Sequence, residues 1–219
     1  MSVQMMKIRK IQNNSVKMRL VVFGALALIL LLCSVFSEYL TPYDPYLQDL
    51  SNAKAAPSAL HLLGTDRYGR DMFSRVIVGG RTSIYSTLLL VAVVTCTGTV
   101  IGVFCGWHGK WIDTVLMRIS DMFLAFPGLV FALAVAGVLG GGLQNAIIAL
   151  AAISWPKYAR IARSQTLVQK EMAYMKAAIL SGSGTVKPFI KHILPNIIGP
   201  VLVTSMLDIG TMMMELAGL

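Results

Sequence analysis

The chain has 219 residues, of which 56% are hydrophobic and only 13% charged, with a mean hydropathy of +0.70. Long apolar runs with sparse charge exclude an ordinary soluble domain and mark an integral membrane protein. The formal net charge is +9, and the basic residues flank apolar runs, where the positive-inside rule accounts for them; no nucleic-acid partner is implied.

Residues 1–19 carry Lys7, Arg9, Lys10, Lys17 and Arg19 and no acid. Residues 20–36 follow without a charge. This run exceeds the usual apolar core of a signal peptide and no A-x-A site follows it. We expect an uncleaved first span with a cytoplasmic N-terminus over 1–19. The next region, 37–83, reads as an extracytoplasmic loop with an interfacial helix. Its five acids (Glu38, Asp44, Asp49, Asp66, Asp71) match five bases (Lys54, Arg67, Arg70, Arg75, Arg81), a balance absent from the basic segments. Asp66 is the expected N-cap of that amphipathic helix, which lies on the surface before the second span.

Residues 84–104 form the expected second span. Gly98, Gly102 and Gly106 recur every four residues, so they share one helix face and let another helix approach closely. The same spacing also arises from the general abundance of small residues in spans. Trp107 and Trp111 bracket a short interfacial turn. A third span over 114–139 is expected to bend at Pro127, with Arg118 and Asp121 paired near its cytoplasmic end. A fourth starts near Asn145 and passes Trp155 and Pro156. A fifth starts near Asn196 and contains Asp208 and Glu215, seven residues apart and so nearly on one face. Ionisable groups inside a span are costly and face a cavity or a partner. Asp208, Met212 and Glu215 are therefore pathway candidates; the alternative is a structural pair facing other helices.

Between the last two spans lies the most polar stretch, residues 157–196, with seven Lys/Arg against one acid, Glu171. It reads as a helix to Leu180, a break at residues 181–184, and a second short helix with Thr185 as N-cap and Pro188 in its first turn. A helical hairpin projecting on the cytoplasmic side is a handle for another protein.

Two strings carry a family resemblance. Ala177-Ala178, Gly182 and Leu194-Pro195 resemble the EAA loop of ABC-importer permeases, with Lys176 standing where the family usually has Glu. His61-Leu62-Leu63-Gly64-Thr65-Asp66-Arg67-Tyr68-Gly69-Arg70-Asp71-Met72-Phe73-Ser74-Arg75 resembles the GTDxxGRDxxSR segment of the second permease subunit of peptide and nickel importers. The resemblance implies an all-α, polytopic transmembrane bundle, the type I ABC importer permease. Its permease domain covers 84–219 with the loop at 157–196. About five spans are present, and the family's last span is expected to be missing, as in a truncated chain.

It further implies a multi-pass protein of a prokaryotic cytoplasmic (inner) membrane. Its partners would be a second permease subunit, two ABC ATPases, an extracytoplasmic solute-binding protein and the lipid bilayer. Ala177, Ala178, Gly182, Leu194 and Pro195 would couple the chain to the ATPases. The chain itself would bind no cofactor, ATP residing on the partner subunits, and no metal ligand is assigned. Nickel, as a chelate, is the expected solute, because residues 207–218 and 180–184 look more like the nickel permeases; a di- or oligopeptide is the alternative.

Chemistry of its own is not expected. There is no HExxH, GxSxG or P-loop pattern. Cys33, Cys96 and Cys105 lie in apolar segments without CxxC spacing, and His61, His108 and His192 are isolated. Two readings from other classes remain, a membrane-embedded enzyme and a non-transporting membrane subunit.

Overall fold

The computed structural model describes residues 2–180 and 193–219. Their elements are helical: α1 (Ser2–Val35), α2 (Ser37–Leu40), a 3-10 turn (Leu50–Asn52), α3 (Met72–His108), α4 (Lys110–Leu124), α5 (Gly128–Val138), α6 (Leu143–Glu171), α7 (Ala173–Leu180) and α8 (Leu194–Ala217). Among the described residues, three helical stretches are long and apolar enough to cross a membrane: Val16–Val35, Met72–His108 and Leu194–Ala217. A fourth span results if α4 and α5 count as one, broken by 89°. This is the all-α polytopic architecture expected, and the count differs from five because of α6. Its apolar part ends at Lys157, after roughly 20 Å of helix, against a hydrocarbon core of roughly 30 Å.

The chain divides into two compact units, Met1–Ile84 and Tyr85–Leu219. In the first, α1 from Val16 onward exposes its apolar side chains nearly all round, as a helix bathed by lipid does. Its segment 41–71 is built by polar groups. The Asp66 carboxylate accepts from the backbone N–H of Tyr68 (2.8 Å) and Arg70 (3.1 Å), from Arg70 Nε (2.8 Å) and from an Arg75 guanidinium nitrogen (2.8 Å). Gly69 has φ +74°, and a Cβ there would fall 1.6 Å from the Asp49 carbonyl oxygen. Only glycine fits. Asp71 is 3% exposed; it accepts from the Ser74 N–H at 2.8 Å and from His61 Nδ1 at 3.0 Å.

Asp71, rather than the expected Asp66, therefore caps the helix that follows, because Asp66 is spent on the turn before it. That helix is also not separate from the second span. α3 runs unbroken from Met72 to His108, through Gly79 and Gly80. Each glycine costs only about 1 kcal/mol in a helix, and a span that must satisfy its backbone internally holds the helix through them.

Burial pushes the Asp66 carboxyl upward, but the N–H groups of Arg70 and Tyr68 and the Arg70 guanidinium outweigh it, and the pKa falls to about 2. A pKa depressed below its unfolded value gives stability that is complete above about pH 4 and is lost as pH falls toward 2. Amides of residues 49–71, corrected for intrinsic exchange, should keep their hydrogen-exchange protection at pH 4.5 and lose it near pH 2. Asp66→Asn should show the low-pH behaviour already at pH 7, and equal protection in both proteins at pH 7 would refute this role.

In the second unit, α6 is the central element. Ala146, Ala149, Leu150, Ile153, Ala159 and Ala162 lie on its buried side, and Leu90, Val94, Ile197 and Val201 complete the core. α4 ends at Ala125, and Pro127 is extended (ψ 117°) before α5 restarts at Gly128. The single bent span expected over 114–139 is thus two helices: Pro127 disfavours a helical residue before it and lacks an N–H.

Candidate functional site

Where Gly98, Gly102 and Gly106 face α6, the two backbones touch. A Cβ on Gly98 would lie 2.6 Å from the Trp155 carbonyl oxygen, one on Gly102 2.1 Å from that of Ala159, and one on Gly106 2.7 Å from Thr166 Cβ. This contact fixes the height of α6 against α3 and so places the charged side chains that follow.

The basic half of α6 is not a free loop. Arg160 pairs with Asp121 and Arg163 with Asp113. Lys170 Nζ donates to the Trp107 carbonyl at 2.8 Å and lies 5.7 Å from that residue's ring centroid. Asp121 therefore pairs across helices with Arg160, not with Arg118 as expected, because α6 brings a guanidinium alongside α4. These bonds place the α3–α4 turn at the basic end of α6. That turn is tight, with Gly109 at φ +63°.

One buried charge cluster stands out at the upper end of this basic half. Lys157 Nζ lies 2.7 Å from both carboxylate oxygens of Asp208, and the Tyr158 hydroxyl donates to Asp208 Oδ2 at 3.0 Å. Asp208 is 7% exposed and Tyr158 fully buried. Two donor groups thus make three hydrogen bonds to this buried carboxylate, where an unpartnered one would be costly. The cluster borders a cavity of about 190 Å³ between the α4–α5 break, α6 and α8. Phe123 and Phe126 close one side, Ser154 and Lys157 a second, and Asp208, Met212 and Glu215 a third. Phe123 stands edge-on to Trp155 and to Phe131, at 5.9 and 6.0 Å between centroids.

The three pathway candidates thus line one space. Sequence reasoning missed their partner, Lys157, counting it with the basic loop. The signal was present: a lone acid in a span needs a counter-charge, and Lys157 sits at the edge of the apolar run. A larger apolar groove of about 400 Å³ lies between Val100, Phe104, Trp107 and Leu194. Among the described residues, no three of His, Cys, Asp and Glu gather to hold a metal ion. The cavity instead offers an ammonium, two carboxylates and a thioether, groups suited to transient contact with a passing polar solute.

Of the residues expected to couple the chain to an ATPase, Ala177 and Ala178 lie on α7, and Leu194 and Pro195 open α8. Gly182, with the expected break at 181–184 and the helix from Thr185, lies outside the described residues. A break the sequence did not suggest falls earlier, at Met172, whose extended backbone (ψ 143°) separates α6 from α7.

Residues 98–219 match the family described as binding-protein-dependent transport system inner membrane component. The chain is 40% identical over 205 residues to the nickel transport system permease protein NikC of Escherichia coli (strain K12), covering 94% of this chain and 73% of that protein. It is 39% identical over 196 residues to a probable D,D-dipeptide transport system permease protein, DdpC, of the same organism, covering 90% of this chain and 66% of the relative. A glutathione transport system permease protein, GsiD, of Pectobacterium atrosepticum is 35% identical over 198 residues, with 90% and 65% covered. For these last two, the chain spans just under two thirds of the relative's length.

Proposed function

Because the chain belongs to the family of binding-protein-dependent transport system inner membrane components, as a permease subunit of an ABC importer of the nickel/peptide class, we propose that it forms half of a solute pathway for nickel, carried as a chelate. The observation that carries the choice of solute is the 40% identity over 94% of the chain to a nickel permease. The identity to the D,D-dipeptide permease, 39%, favours a di- or oligopeptide as the second reading. Both fit a cavity that pairs an ammonium with carboxylates, since a dipeptide zwitterion and a cationic metal complex each find an opposite charge there.

In this reading the other half of the pathway is a second permease subunit. Two ATPases bind ATP below the pair, and a binding protein delivers solute from the opposite side. Residues 1–19, the α3–α4 turn and the loop over 157–196 face the cytoplasm, supported by their basic residues; residues 38–81 and 140–142 face outward. ATP-driven closure moves residues 172–193, and α6 and α8, which flank that segment, carry the motion to the cavity as rigid bodies.

Uptake of radioactive nickel and of a labelled dipeptide, in cells carrying the complete system with and without this subunit, tests the solute. Loss of nickel uptake on removal of the subunit, with dipeptide uptake retained, is expected. Loss of dipeptide uptake alone would overturn nickel and leave the permease role standing.

A further inference from the structure

We propose that Lys157 is a positioning residue for coupled transport: it holds α6 to α8 through Asp208 in the state seen here and passes to Glu215 when the two helices slide past each other. This rests on the permease reading above. Lys157 is unlike its partner in burial. Asp208 is enclosed, whereas the Lys157 side chain is 52% exposed and borders the cavity that Glu215 also lines. Glu215 forms no ion pair among the described residues.

Asp208 and Glu215 are separated by two turns of α8, about 10 Å of rise, on nearly one face. A slide of one turn, about 5 Å, is a recognised discrete step between packed helices, and the flexible lysine chain covers the remainder. In the state seen here Asp208 holds both the Lys157 ammonium and the Tyr158 hydroxyl, and in the slid state the ammonium is on Glu215.

The helices are built to move at this point. Pro156, inside α6 and directly before Lys157, removes one backbone hydrogen bond, and α8 carries Pro200. The α4–α5 break forms the wall opposite. The cluster sits about four turns from the end of α6 at Glu171 and about four turns from the start of α8 at Leu194, so a displacement at either helix end reaches it over a similar length of helix. A pair kept only for packing would be replaceable by apolar residues; a lysine paired with one acid and lining a cavity with a second on the same helix has two discrete resting places.

The test uses the complete importer with its binding protein in proteoliposomes, reading solute uptake and ATP hydrolysis together, with radioactive nickel and a labelled dipeptide as the probes. Glu215→Gln leaves the ion pair seen here intact, so the complex should assemble. Its uptake should fall at least tenfold while hydrolysis continues, lowering the solute moved per ATP, and Glu215→Asp should recover part of the loss. The double variant Lys157→Glu/Asp208→Lys retains a pair but places a carboxylate opposite Glu215; it should assemble and fail to transport, and adding Glu215→Lys should restore uptake.

An unchanged solute-per-ATP ratio in Glu215→Gln, or normal transport by the double variant, would overturn the handover. So would a raised KM with an unchanged maximal rate in Glu215→Gln, which would make Glu215 a solute contact. ATP-dependent uptake absent from the unaltered complex would instead refute the permease reading itself.

Discussion

Gly102→Leu should remove the subunit from the membrane as a folded species. The Cβ of any residue at 102 would sit 2.1 Å from the Ala159 carbonyl oxygen and 2.8 Å from its carbonyl carbon and Cα. These are backbone atoms of α6, which cannot rotate away as a side chain would, so α3 and α6 must separate by more than 1 Å. Overpacking of a core costs about 1–3 kcal/mol even when side chains can adjust, and here the strain falls on two backbones. Separation also pulls Leu90 and Val94 away from the core they share with Leu150. Gly102→Ala should already lower the thermal midpoint of the solubilised complex by several degrees. Gly137→Ala is the control: a Cβ there meets nothing within 4 Å, and alanine favours the helix by about 1 kcal/mol. Equal recovery of Gly102→Leu and the unaltered subunit from membranes, with equal midpoints, would show that the contact is not close in the assembled protein.

The shared face of Gly98, Gly102 and Gly106 follows from spacing, since residues four apart share a helix face whatever surrounds them; which helix approaches that face does not. The polar segment over 61–75 was also legible as a string, but not its mechanics. Asp66 and Asp71 are both acids preceding a helix, and which one caps it depends on the tertiary partners that claim the other: Arg75 for Asp66, and His61 for Asp71. The bend at Pro127 was legible and its size was not, because a proline sets one φ and removes one donor while the 89° break also depends on what Phe123 and Phe131 pack against. The Lys157–Asp208 pair was hidden for a different reason. The two residues are 51 apart in sequence, on helices whose relative height is fixed by packing and not by either sequence. Composition assigned Lys157 to the basic loop because its nearest neighbours in the chain are basic, although its nearest neighbour in space is an acid.

Lys157→Met should be the most destabilising single change in the charged cluster, and Lys157→Met/Asp208→Leu should undo most of that loss without restoring transport. With Lys157 gone, the Asp208 carboxylate is left buried with one donor, the Tyr158 hydroxyl. Removing one partner of a buried pair costs about 3–5 kcal/mol; because the lysine side chain is 52% exposed, the lower end applies, about 3 kcal/mol. For a subunit of this size that corresponds to a fall of roughly 6–12 °C in the thermal midpoint. Replacing both groups with apolar side chains removes the uncompensated charge together with its counter-ion, a change that is often neutral or stabilising. The double variant should therefore melt within about 3 °C of the unaltered protein and still move no solute, because neither the ammonium at position 157 nor its first carboxylate is left. Stability and transport would then separate at one site, as they should if the pair serves the moving protein more than the resting one. A double variant as unstable as Lys157→Met would show that the pair holds the helices together in a way apolar contacts cannot replace. A double variant that transports normally would show that the ion pair takes no part in moving solute.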